Sequence, residues 1–369
     1  MKKAVVFGAG GIGRGFVGAA FAASGYETVF VDVDAPLVDA LNARGSYPVR
    51  VVSSECSLDE IITGVRAVDA SDGAAASREV AGADAVATAV GVRALPHIAG
   101  VIADGLLRRE AGPIDVIVCE NKIDAAEGLR RMVRASLAER GADADGVLAS
   151  AGFVETSIGR MVPVQTEAMK DGDPLRVCVE PYDVLLVDRD GFKGEIPQIR
   201  GLSPQGDFIY YHKRKLFVHN LGHAACAYLG LLAGHRTIAG AVGDAAIRDA
   251  AAGAMRESAR ALSDEYGGVV AGTASRDEGY GDMADASPAA LEAHIQDLLA
   301  RFANRALGDT CARVAADPAR KLAPGDRLVG AADYCASRGL PHSHIAVATG
   351  AAYAELLRLR TEEESARKE

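Results

Sequence analysis

Apolar and polar positions divide the first half of the chain into short buried runs and longer periodic stretches. The apolar runs predict strands at residues 3–7, 28–31, 84–89, 115–119, 147–155 and 176–187, with smaller β-like segments at 49–52 and 65–69. Stretches with helical spacing lie between the strands at residues 12–23, 36–44 and 95–109. Strands that alternate with helices in this way are typical of a parallel, doubly wound sheet.

The second half of the chain has a different pattern. Residues 188–207 are rich in Gly, Pro and Asp and predict a linker. Helical spacing then predicts helices at residues 213–233, 244–266, 289–303, 324–338 and 345–358, separated by a long loop at 267–287 and followed by a frayed charged tail at 361–369. We therefore predict two domains, residues 1–190 with the sheet and residues 191–369 with mainly helices.

Composition narrows the possible partners and location. Of 369 residues, 49% are hydrophobic and 24% charged, and the formal net charge of −10 argues against a nucleic-acid partner. The apolar run near the start reaches Gly8 too soon for a signal peptide, and no stretch is long enough to predict a membrane span. Six scattered cysteines without a Cys-x-x-Cys pair indicate reduced thiols and argue against a zinc cluster. We therefore expect a cytoplasmic protein, compatible with a monomer, that binds a small molecule.

A glycine-rich turn joins the first predicted strand to the first predicted helix. Gly8, Gly10 and Gly13 have the spacing Gly-x-Gly-x-x-Gly, which binds the pyrophosphate of a dinucleotide in a Rossmann-type fold, although a turn without a ligand can share the pattern. The second strand ends at Asp32, the expected distance for a carboxylate that accepts hydrogen bonds from the adenosine ribose. Such a carboxylate repels a 2′-phosphate, so NAD is favoured over NADP. Asp34 is the alternative ribose ligand.

Two further strand ends add candidate cofactor contacts, because parallel sheets bind ligands at the carboxyl ends of their strands. Thr88 ends one strand, and Asn121 follows the next, where an asparagine often caps a helix instead. The predicted cofactor-binding residues are Gly8, Gly10, Gly11, Ile12, Gly13, Asp32, Thr88, Val90, Gly91 and Asn121.

A polar trio lies in an otherwise apolar stretch at the start of the helical half. On an α-helix, Asn220 lies about 140° and His223 about 80° around the helix axis from Lys215, so one broad face carries all three. Each residue alone is explained by a structural role, such as a core histidine or a snorkelling lysine. Three polar groups together in a buried helix predict a catalytic site, because burying them is unfavourable unless they are paired or used.

The spacing Lys-x4-Asn-x2-His resembles the signature of the polyol-specific long-chain dehydrogenases, and the resemblance covers nearly the whole chain. Matching segments occur in order at residues 7–16, 41–44, 88–91, 119–121, 214–217, 228–230, 317–322, 325–328 and 339–342. The glycine motif alone is weakly specific, whereas the ordered set is strong. The fold that this resemblance implies is an N-terminal Rossmann-type sheet domain followed by a helical domain.

The resemblance also implies a reaction and roles for the trio. It favours NAD-dependent, metal-independent interconversion of mannitol 1-phosphate and fructose 6-phosphate, with other polyols, polyol phosphates or hexuronates as alternatives. Lys215 is then the general acid and base, and Asn121 and Asn220 stabilise the developing alkoxide. His223 holds a neighbouring substrate hydroxyl. A lowered pKa of Lys215 is required, and we expect burial together with Lys213 and Arg214 to lower it.

The substrate phosphate needs cations. Arg214 is the first candidate, because the guanidinium group can donate two parallel hydrogen bonds to phosphate, with a solvated surface charge as the alternative. Arg320, Lys321 and His342 are second candidates for the substrate site. The chain also departs from the family at two positions: Gly159 and His212 stand where the resemblance leads us to expect acidic residues, the second of them a proton relay.

Rival chemistries are weaker. Tyr211 and Lys215 have the Tyr-x-x-x-Lys spacing of short-chain dehydrogenases, but the pair follows the predicted linker rather than lying in the nucleotide domain. A 6-phosphogluconate dehydrogenase shares the two-domain layout and a Lys–Asn pair. A non-catalytic NAD sensor would use the glycines and Asp32 equally well but would leave the trio without a purpose.

Overall fold

A computed structural model describes residues 1–54, 56–268 and 285–366 of the chain. The chain forms two compact units, Met1–Phe208 and Ile209–Glu369. The expected boundary at residue 190 lies within the first unit, because residues 188–207 are not a linker but contain a strand of its main sheet. Most of the predicted loop at 267–287, namely residues 269–284, lies outside the described residues.

The first unit is built on a Rossmann-type sheet, as predicted. Its strands are β1 (Lys3–Phe7), β2 (Glu27–Asp32), β3 (Ser46–Val52), β4 (Ser57–Thr63), β5 (Val65–Asp69), β6 (Ala85–Thr88), β7 (Ile114–Val118), β8 (Ala151–Ile158), β9 (Val177–Val179), β10 (Leu185–Asp188) and β11 (Leu202–Gln205). Eight strands form one sheet in the order β11-β10-β8-β7-β6-β1-β2-β5, and β4-β3-β9 form a smaller sheet. Pairing in the large sheet is parallel except between β8 and β10. Because the strand order reverses beside β1, the ends of β1 and β6 are the expected ligand edge.

Helices cover both faces of this sheet. The α-helices of the first unit are α1 (Ala19–Ala23), α2 (Ala35–Arg44), α3 (Gly73–Ala81), α4 (Leu95–Leu107), α5 (Ala125–Glu139), α6 (Ala144–Leu148) and α7 (Glu167–Lys170), the last of which packs on β9 of the smaller sheet. Alternate residues of β1 enter two separate hydrophobic clusters, with Ala4 and Val6 in one and Val5 and Phe7 in the other, and all four are almost fully buried. This burial on both faces explains why the strand reads as a continuous apolar run.

The strand predictions failed at three places. Residues 147 and 148, which were predicted to begin a strand, belong to α6, and β8 begins at Ala151. The single strand predicted at 176–187 is two strands, β9 and β10, which belong to different sheets. Strand β4 was not predicted, because its side chains are mostly exposed and polar and therefore give no apolar signal. Strand β4 lies at the edge of the smaller sheet and is mostly exposed, whereas β9 and β10 are almost wholly buried.

The second unit is mainly helical, also as predicted. Its α-helices are α8 (Ile209–Arg214), α9 (Leu221–Leu232), α10 (Ile238–Gly243), α11 (Ala245–Tyr266), α12 (Pro288–Phe302), α13 (Cys311–Ala315), α14 (Pro318–Lys321), α15 (Val329–Ala336) and α16 (Ser343–Ala366). Helix α16 extends through most of the predicted frayed tail, so that expectation was wrong for residues 361–366. Among the helices of the described ranges, none is both long and apolar enough to cross a bilayer.

Helices α8 and α9 form one continuous helix with a π-helical segment, Lys215–Asn220, between them. Glycines let this helix lie close to its neighbours. A Cβ on Gly230 would be only 2.8 Å from Cβ of Ala241 and 2.9 Å from Sγ of Cys311. A helix packed this closely is fixed in position, so the polar residues that it carries are fixed as well.

Candidate active site

The glycine turn after β1 is shaped by close backbone contacts. Gly8 has a φ of +93°, and a Cβ on it would collide with the carbonyl oxygen of Ala89. A Cβ on Gly13 would collide with the carbonyl oxygen of Gly8, whereas a Cβ on Gly10 would meet no atom within 4 Å. The turn therefore needs Gly8 and Gly13 to fold, while Gly10 leaves open space beside the backbone, as close approach of a pyrophosphate requires.

The segment around Val162 packs on the helix that follows this turn. A Cβ on Gly11 would lie 2.8 Å from Cγ1 of Val162, and Ile12 leads directly into the π-helical segment Gly13–Gly18. The guanidinium group of Arg160 donates a hydrogen bond of 3.2 Å to the carbonyl oxygen of Gly15. Gly11 is therefore required at least in part for packing within the protein.

Asp32 lies at the end of β2 and already contacts the glycine turn. Its Oδ2 accepts a 2.6 Å hydrogen bond from the backbone N–H of Ala9, and its Oδ1 accepts a 3.0 Å bond from the N–H of Asp34. Each carboxylate oxygen has two lone pairs, so both can still accept a ribose hydroxyl. Asp34 caps α2 through a 3.2 Å bond from the N–H of Leu37. These contacts favour Asp32 over Asp34 as the ribose ligand.

Arg14 is a buried cation that the sequence analysis did not single out. It is 7% exposed, its Nε donates a 2.6 Å hydrogen bond to the carbonyl oxygen of Ala9, and its Nη1 donates to that of Leu175. Tyr47 donates a 2.8 Å bond to the carbonyl oxygen of Arg14. Burial lowers the pKa of Arg14 from its ordinary value. Arg14 thus holds the glycine turn through its bond to Ala9. Its position within the glycine-rich segment was the one sequence feature that indicated this role.

A buried carboxyl group joins the two predicted strand ends. Glu120, directly before Asn121, is 4% exposed, and its Oε1 accepts a 3.0 Å hydrogen bond from the N–H of Val90. Burial raises the pKa of Glu120 above its ordinary value. The hydrogen bond fixes the loop that runs from Thr88 to Gly91, in which Gly91 has a φ of +84°. Glu120 was not predicted, because its role depends on two strands that are distant in sequence.

Asn121 is exposed in the turn between β7 and α5. The next helix begins at Ala125 after Asp124, so the alternative that Asn121 is its N-cap is wrong. Glu155 on β8 fixes the start of α5, because its Oε2 accepts a 2.9 Å hydrogen bond from the N–H of Ala126. Burial raises the pKa of Glu155 to about 7. The turn that carries Asn121 is thus held at both ends by buried carboxyl groups.

The π-helical segment changes the geometry of the predicted trio in the second unit. Lys215 is its first residue and Asn220 its last, and π-helical hydrogen bonds link residues five apart. The two residues therefore stand about one turn apart, closer together than the α-helical spacing predicted. The side-chain amide of Asn220 forms no hydrogen bond within the described part of the chain, so its N–H groups are available to a ligand.

Lys215 has the lowered pKa that was predicted, but from a different neighbour. The residue as a whole is half-buried, and burial of the amine, followed by the charge of Arg327, lowers its pKa from 10.5 to about 8. Lys213 is paired with Glu265 at 2.6 Å, and Arg214 lies over the ring of Tyr211. The expectation that Lys213 and Arg214 supply the positive charge is therefore replaced by Arg327, which is distant in sequence.

His223 is held by residues that the sequence analysis missed. Its Nε2 lies 3.1 Å from Oδ2 of Asp309, and its ring stacks on Phe302 with centroids 4.9 Å apart. His219, in the same π-helical segment, is 7% exposed, and burial followed by nearby positive groups lowers its pKa well below the ordinary value. No local pattern could identify Asp309 or Phe302, because both come from distant parts of the chain.

The phosphate candidates differ in their surroundings. Arg214 is 5% exposed and packs on tyrosine rings, so the alternative that it is a solvated surface charge is wrong. Lys321 is 6% exposed, and burial followed by the charges of Arg327 and Arg320 lowers its pKa to about 8. Arg320 is more exposed and forms an ion pair of 3.2 Å with Asp326, which also pairs with Arg327 at 2.8 Å. The charge of Arg327 thus lowers the pKa of both Lys321 and Lys215.

His342 lies at the turn before α16, where its Nδ1 is 3.4 Å from the carbonyl oxygen of Leu340.

The structure also shows what surrounds Gly159 and His212, the two positions that depart from the family pattern. A Cβ on Gly159 would lie 2.8 Å from the ring of Tyr182, so an acidic residue would require this ring to move. His212 is only 8% exposed, which separates its ring from bulk solvent and weakens the expected role as a relay.

Among the described residues, no three His, Cys, Asp or Glu side chains are grouped so that they could hold an ion. All six cysteines carry free thiols. In the second unit, the described groups on helix α8–α9 are the amine of Lys215 with its lowered pKa, the side-chain amide of Asn220, and His223 paired with Asp309.

Comparison with known proteins identifies relatives for both units. Residues 2–201 match the family described as the mannitol dehydrogenase Rossmann domain, and residues 207–367 match the mannitol dehydrogenase C-terminal domain. The chain is 40% identical over 358 residues to a mannitol-1-phosphate 5-dehydrogenase of Brevibacillus brevis, covering 95% of this chain and 85% of the relative.

Two solved structures have the same fold. A ternary complex of Pseudomonas fluorescens mannitol 2-dehydrogenase with NAD and D-mannitol matches with a TM-score of 0.72 and 17% identity, over 95% of this chain and 78% of that protein. A substrate-free D-sorbitol dehydrogenase matches with a TM-score of 0.73 and 17% identity, over 97% of this chain and 81% of that protein. The family that the sequence motifs suggested is thus confirmed, and this chain belongs to the mannitol dehydrogenase family.

Proposed function

We propose that this chain is an NAD-dependent mannitol-1-phosphate 5-dehydrogenase, which oxidises mannitol 1-phosphate to fructose 6-phosphate and catalyses the reverse reduction. The relative with 40% identity supports the substrate. The observation that carries the proposal is Lys215, whose pKa of about 8 suits an acid–base group for a secondary alcohol near neutral pH. We expect the enzyme to act in the cytoplasm, where its thiols stay reduced.

The first unit supplies the proposed site for the cofactor. Gly8, Gly10 and Gly13 would hold the pyrophosphate, and Asp32 would accept hydrogen bonds from the ribose hydroxyls. The open space beside Gly10 and the lone pairs of Asp32 fit this assignment. Glu120 keeps the neighbouring loop in place through its bond to the N–H of Val90. When bound, NAD supplies the hydride acceptor.

The second unit supplies the acid–base chemistry. In the oxidation, neutral Lys215 would take the proton of the substrate hydroxyl while the carbinol carbon gives up its hydride. Negative charge develops on the carbinol oxygen, and the amides of Asn220 and Asn121 would stabilise it by donating hydrogen bonds. In the reduction, protonated Lys215 would return the proton. His223 would accept a hydrogen bond from a neighbouring hydroxyl and orient the substrate.

The substrate phosphate is assigned to the cations near Lys321. Lys321 is buried and shares its environment with Arg327, and a phosphate dianion would relieve the repulsion between these cations. Arg320 and His342 remain secondary candidates, as does Arg214. The contacts of Arg214 with Tyr210 and Tyr211 favour a packing role for that residue.

Initial rates of NAD reduction with a panel of substrates test the proposal. The panel contains mannitol 1-phosphate, glucitol 6-phosphate, mannitol, arabitol and 6-phosphogluconate. We expect mannitol 1-phosphate to have the highest kcat/KM. Equal rates with mannitol would contradict the phosphate site, and no turnover of any compound would favour an NAD-binding sensor.

The cofactor assignment predicts the effect of Asp32→Ala. The substitution removes both the ribose hydrogen bonds and the repulsion of a 2′-phosphate, so NAD should bind more weakly and the preference over NADP should shrink. Dissociation constants for both cofactors, measured by fluorescence, check this. Asp34→Ala is the matched control and should lower stability through its lost helix cap without changing the preference. The reverse result would assign the ribose to Asp34.

The acid–base assignment predicts the effect of Lys215→Ala. Turnover should fall by about 10²–10⁴-fold, since this is the typical contribution of a general acid–base group. NAD binding should be unchanged. Lys213→Met is the control: it removes an amine two residues away that is already paired with Glu265, and turnover should stay close to that of the wild type. A Lys215→Ala enzyme within tenfold of the wild-type rate would remove Lys215 from the mechanism.

The pKa of Lys215, about 8, predicts opposite pH dependences for the two directions. Oxidation needs the neutral amine, so kcat should rise with pH and level off above this pKa. Reduction needs the ammonium form, so kcat should fall as pH rises through the same value.

The variant Arg327→Gln should move the midpoints of both pH profiles to higher pH, because a charge that disfavours the ammonium form of Lys215 is lost. Profiles of kcat against pH in both directions measure these midpoints. Midpoints equal to those of the wild type would exclude Arg327 as a cause of the lowered pKa of Lys215.

A further inference from the structure

We propose that Asp309 is a positioning residue for the substrate, which acts through His223 by fixing the imidazole nitrogen that faces a substrate hydroxyl. The inference rests on the proposed function, since it assumes that His223 contacts the polyol. It goes beyond that function in assigning a role to a residue outside the Lys-Asn-His signature.

The contact between the two side chains is direct and mostly shielded from solvent. Nε2 of His223 lies 3.1 Å from Oδ2 of Asp309, and the side chains are 16% and 10% exposed. The other carboxylate oxygen of Asp309 is paired with Arg313 at 2.6 Å. Arg313 therefore holds the carboxylate in one orientation and leaves Oδ2 for the histidine.

The backbone of Asp309 is also fixed. Its carbonyl oxygen accepts a 2.9 Å hydrogen bond from the N–H of Ile238, and the N–H of Cys311 donates a 3.0 Å bond to the carbonyl oxygen of Arg236. These bonds form an isolated antiparallel bridge between Thr237 and Thr310. Asp309 thus presents its carboxylate from a short, rigid segment rather than from a flexible loop.

The histidine ring is fixed from a second side. It stacks on Phe302 with an interplanar angle of 17°, which defines the plane of the imidazole. The remaining ring nitrogen, Nδ1, has no hydrogen-bond partner in the described ranges of the chain. One nitrogen is therefore engaged by the protein, and the other is available to a ligand.

The charge of Asp309 determines the tautomer. Burial raises its pKa, but the contacts with His223 and Arg313 outweigh burial and hold the pKa below the ordinary value of 3.8. An ionised carboxylate only accepts hydrogen bonds, so Nε2 of His223 must carry the proton. In the neutral ring Nδ1 is then an acceptor, which suits a substrate hydroxyl that donates its proton.

The variant Asp309→Asn tests this role. The amide of asparagine can donate to Nε2, which favours the tautomer with the proton on Nδ1 and removes the acceptor. We expect the KM for mannitol 1-phosphate to rise by about 10–100-fold, the range found when a metal-binding histidine loses its carboxylate partner, with a smaller change in kcat. NAD affinity should not change. In the His223→Ala background the same substitution should have no further effect, because Asp309 acts through that ring.

Asp244→Asn is the matched control. Asp244 also pairs with a histidine, His235, at 3.4 Å, but both side chains are more exposed, at 37% and 31%, and neither belongs to the proposed site. Asparagine remains a good cap for α11, so stability and both kinetic constants should be unchanged. Thermal denaturation of every variant separates a loss of folding from a loss of positioning.

The tautomer itself can be observed in the wild-type protein without any substitution. Nitrogen-15 NMR of histidine-labelled protein, assigned with His223→Ala, should show the His223 proton on Nε2. A proton on Nδ1 would overturn the inference even if the enzyme oxidises mannitol 1-phosphate. Asp309→Asn kinetics within twofold of the wild type, or additive effects with His223→Ala, would also overturn it. Absence of wild-type turnover would instead contradict the proposed function, leaving the tautomer as an independent result.

Discussion

The placement of the Lys215 amine in a buried, positively charged environment is the constraint on which the candidate catalytic chemistry depends. Ammonium groups are strongly hydrated, so burial favours the neutral form, and the nearby charge of Arg327 adds to this effect. A group with this property is useful only if the surrounding chain holds it in place. The continuous helix α8–α9 does so, since its glycines permit close contact with neighbouring elements.

The π-helical segment Lys215–Asn220 is the local feature that turns this buried amine into a site. A π-helical turn is less stable than an α-helical one and persists where tertiary contacts favour it. Here it brings Asn220 about one turn from Lys215 and places the buried, neutral His219 between them in sequence. The neutral ring adds no further positive charge near the amine. The π-helical segment therefore sets the spacing of Lys215 and Asn220, and burial keeps His219 neutral beside them.

Buried carboxyl groups perform the corresponding task in the first unit. Glu120 and Glu155 each accept backbone hydrogen bonds close to the carboxyl edge of the sheet, and burial raises the pKa of both. Asp32 similarly binds the N–H of Ala9 in the glycine turn. These polar bonds act together with packing, since Ala9 and Val90 in the same loops also contact the hydrophobic clusters of the sheet.

The sequence alone determined the fold class, the family and most of the residues proposed for the site. Apolar runs in β1, β2, β6 and β7 are detectable because both faces of these strands are buried, and the glycine motif and the Lys-x4-Asn-x2-His spacing are local patterns. The sequence could not place Arg327, Asp309 or Phe302 near helix α8–α9, since these contacts join segments that are far apart along the chain. Nor could it identify the π-helical segment, because an α-helical period was assumed throughout. Residue type and spacing therefore indicated which chemistry to propose, and tertiary contacts decided which charge lowers the pKa of Lys215 and which side chain contacts His223.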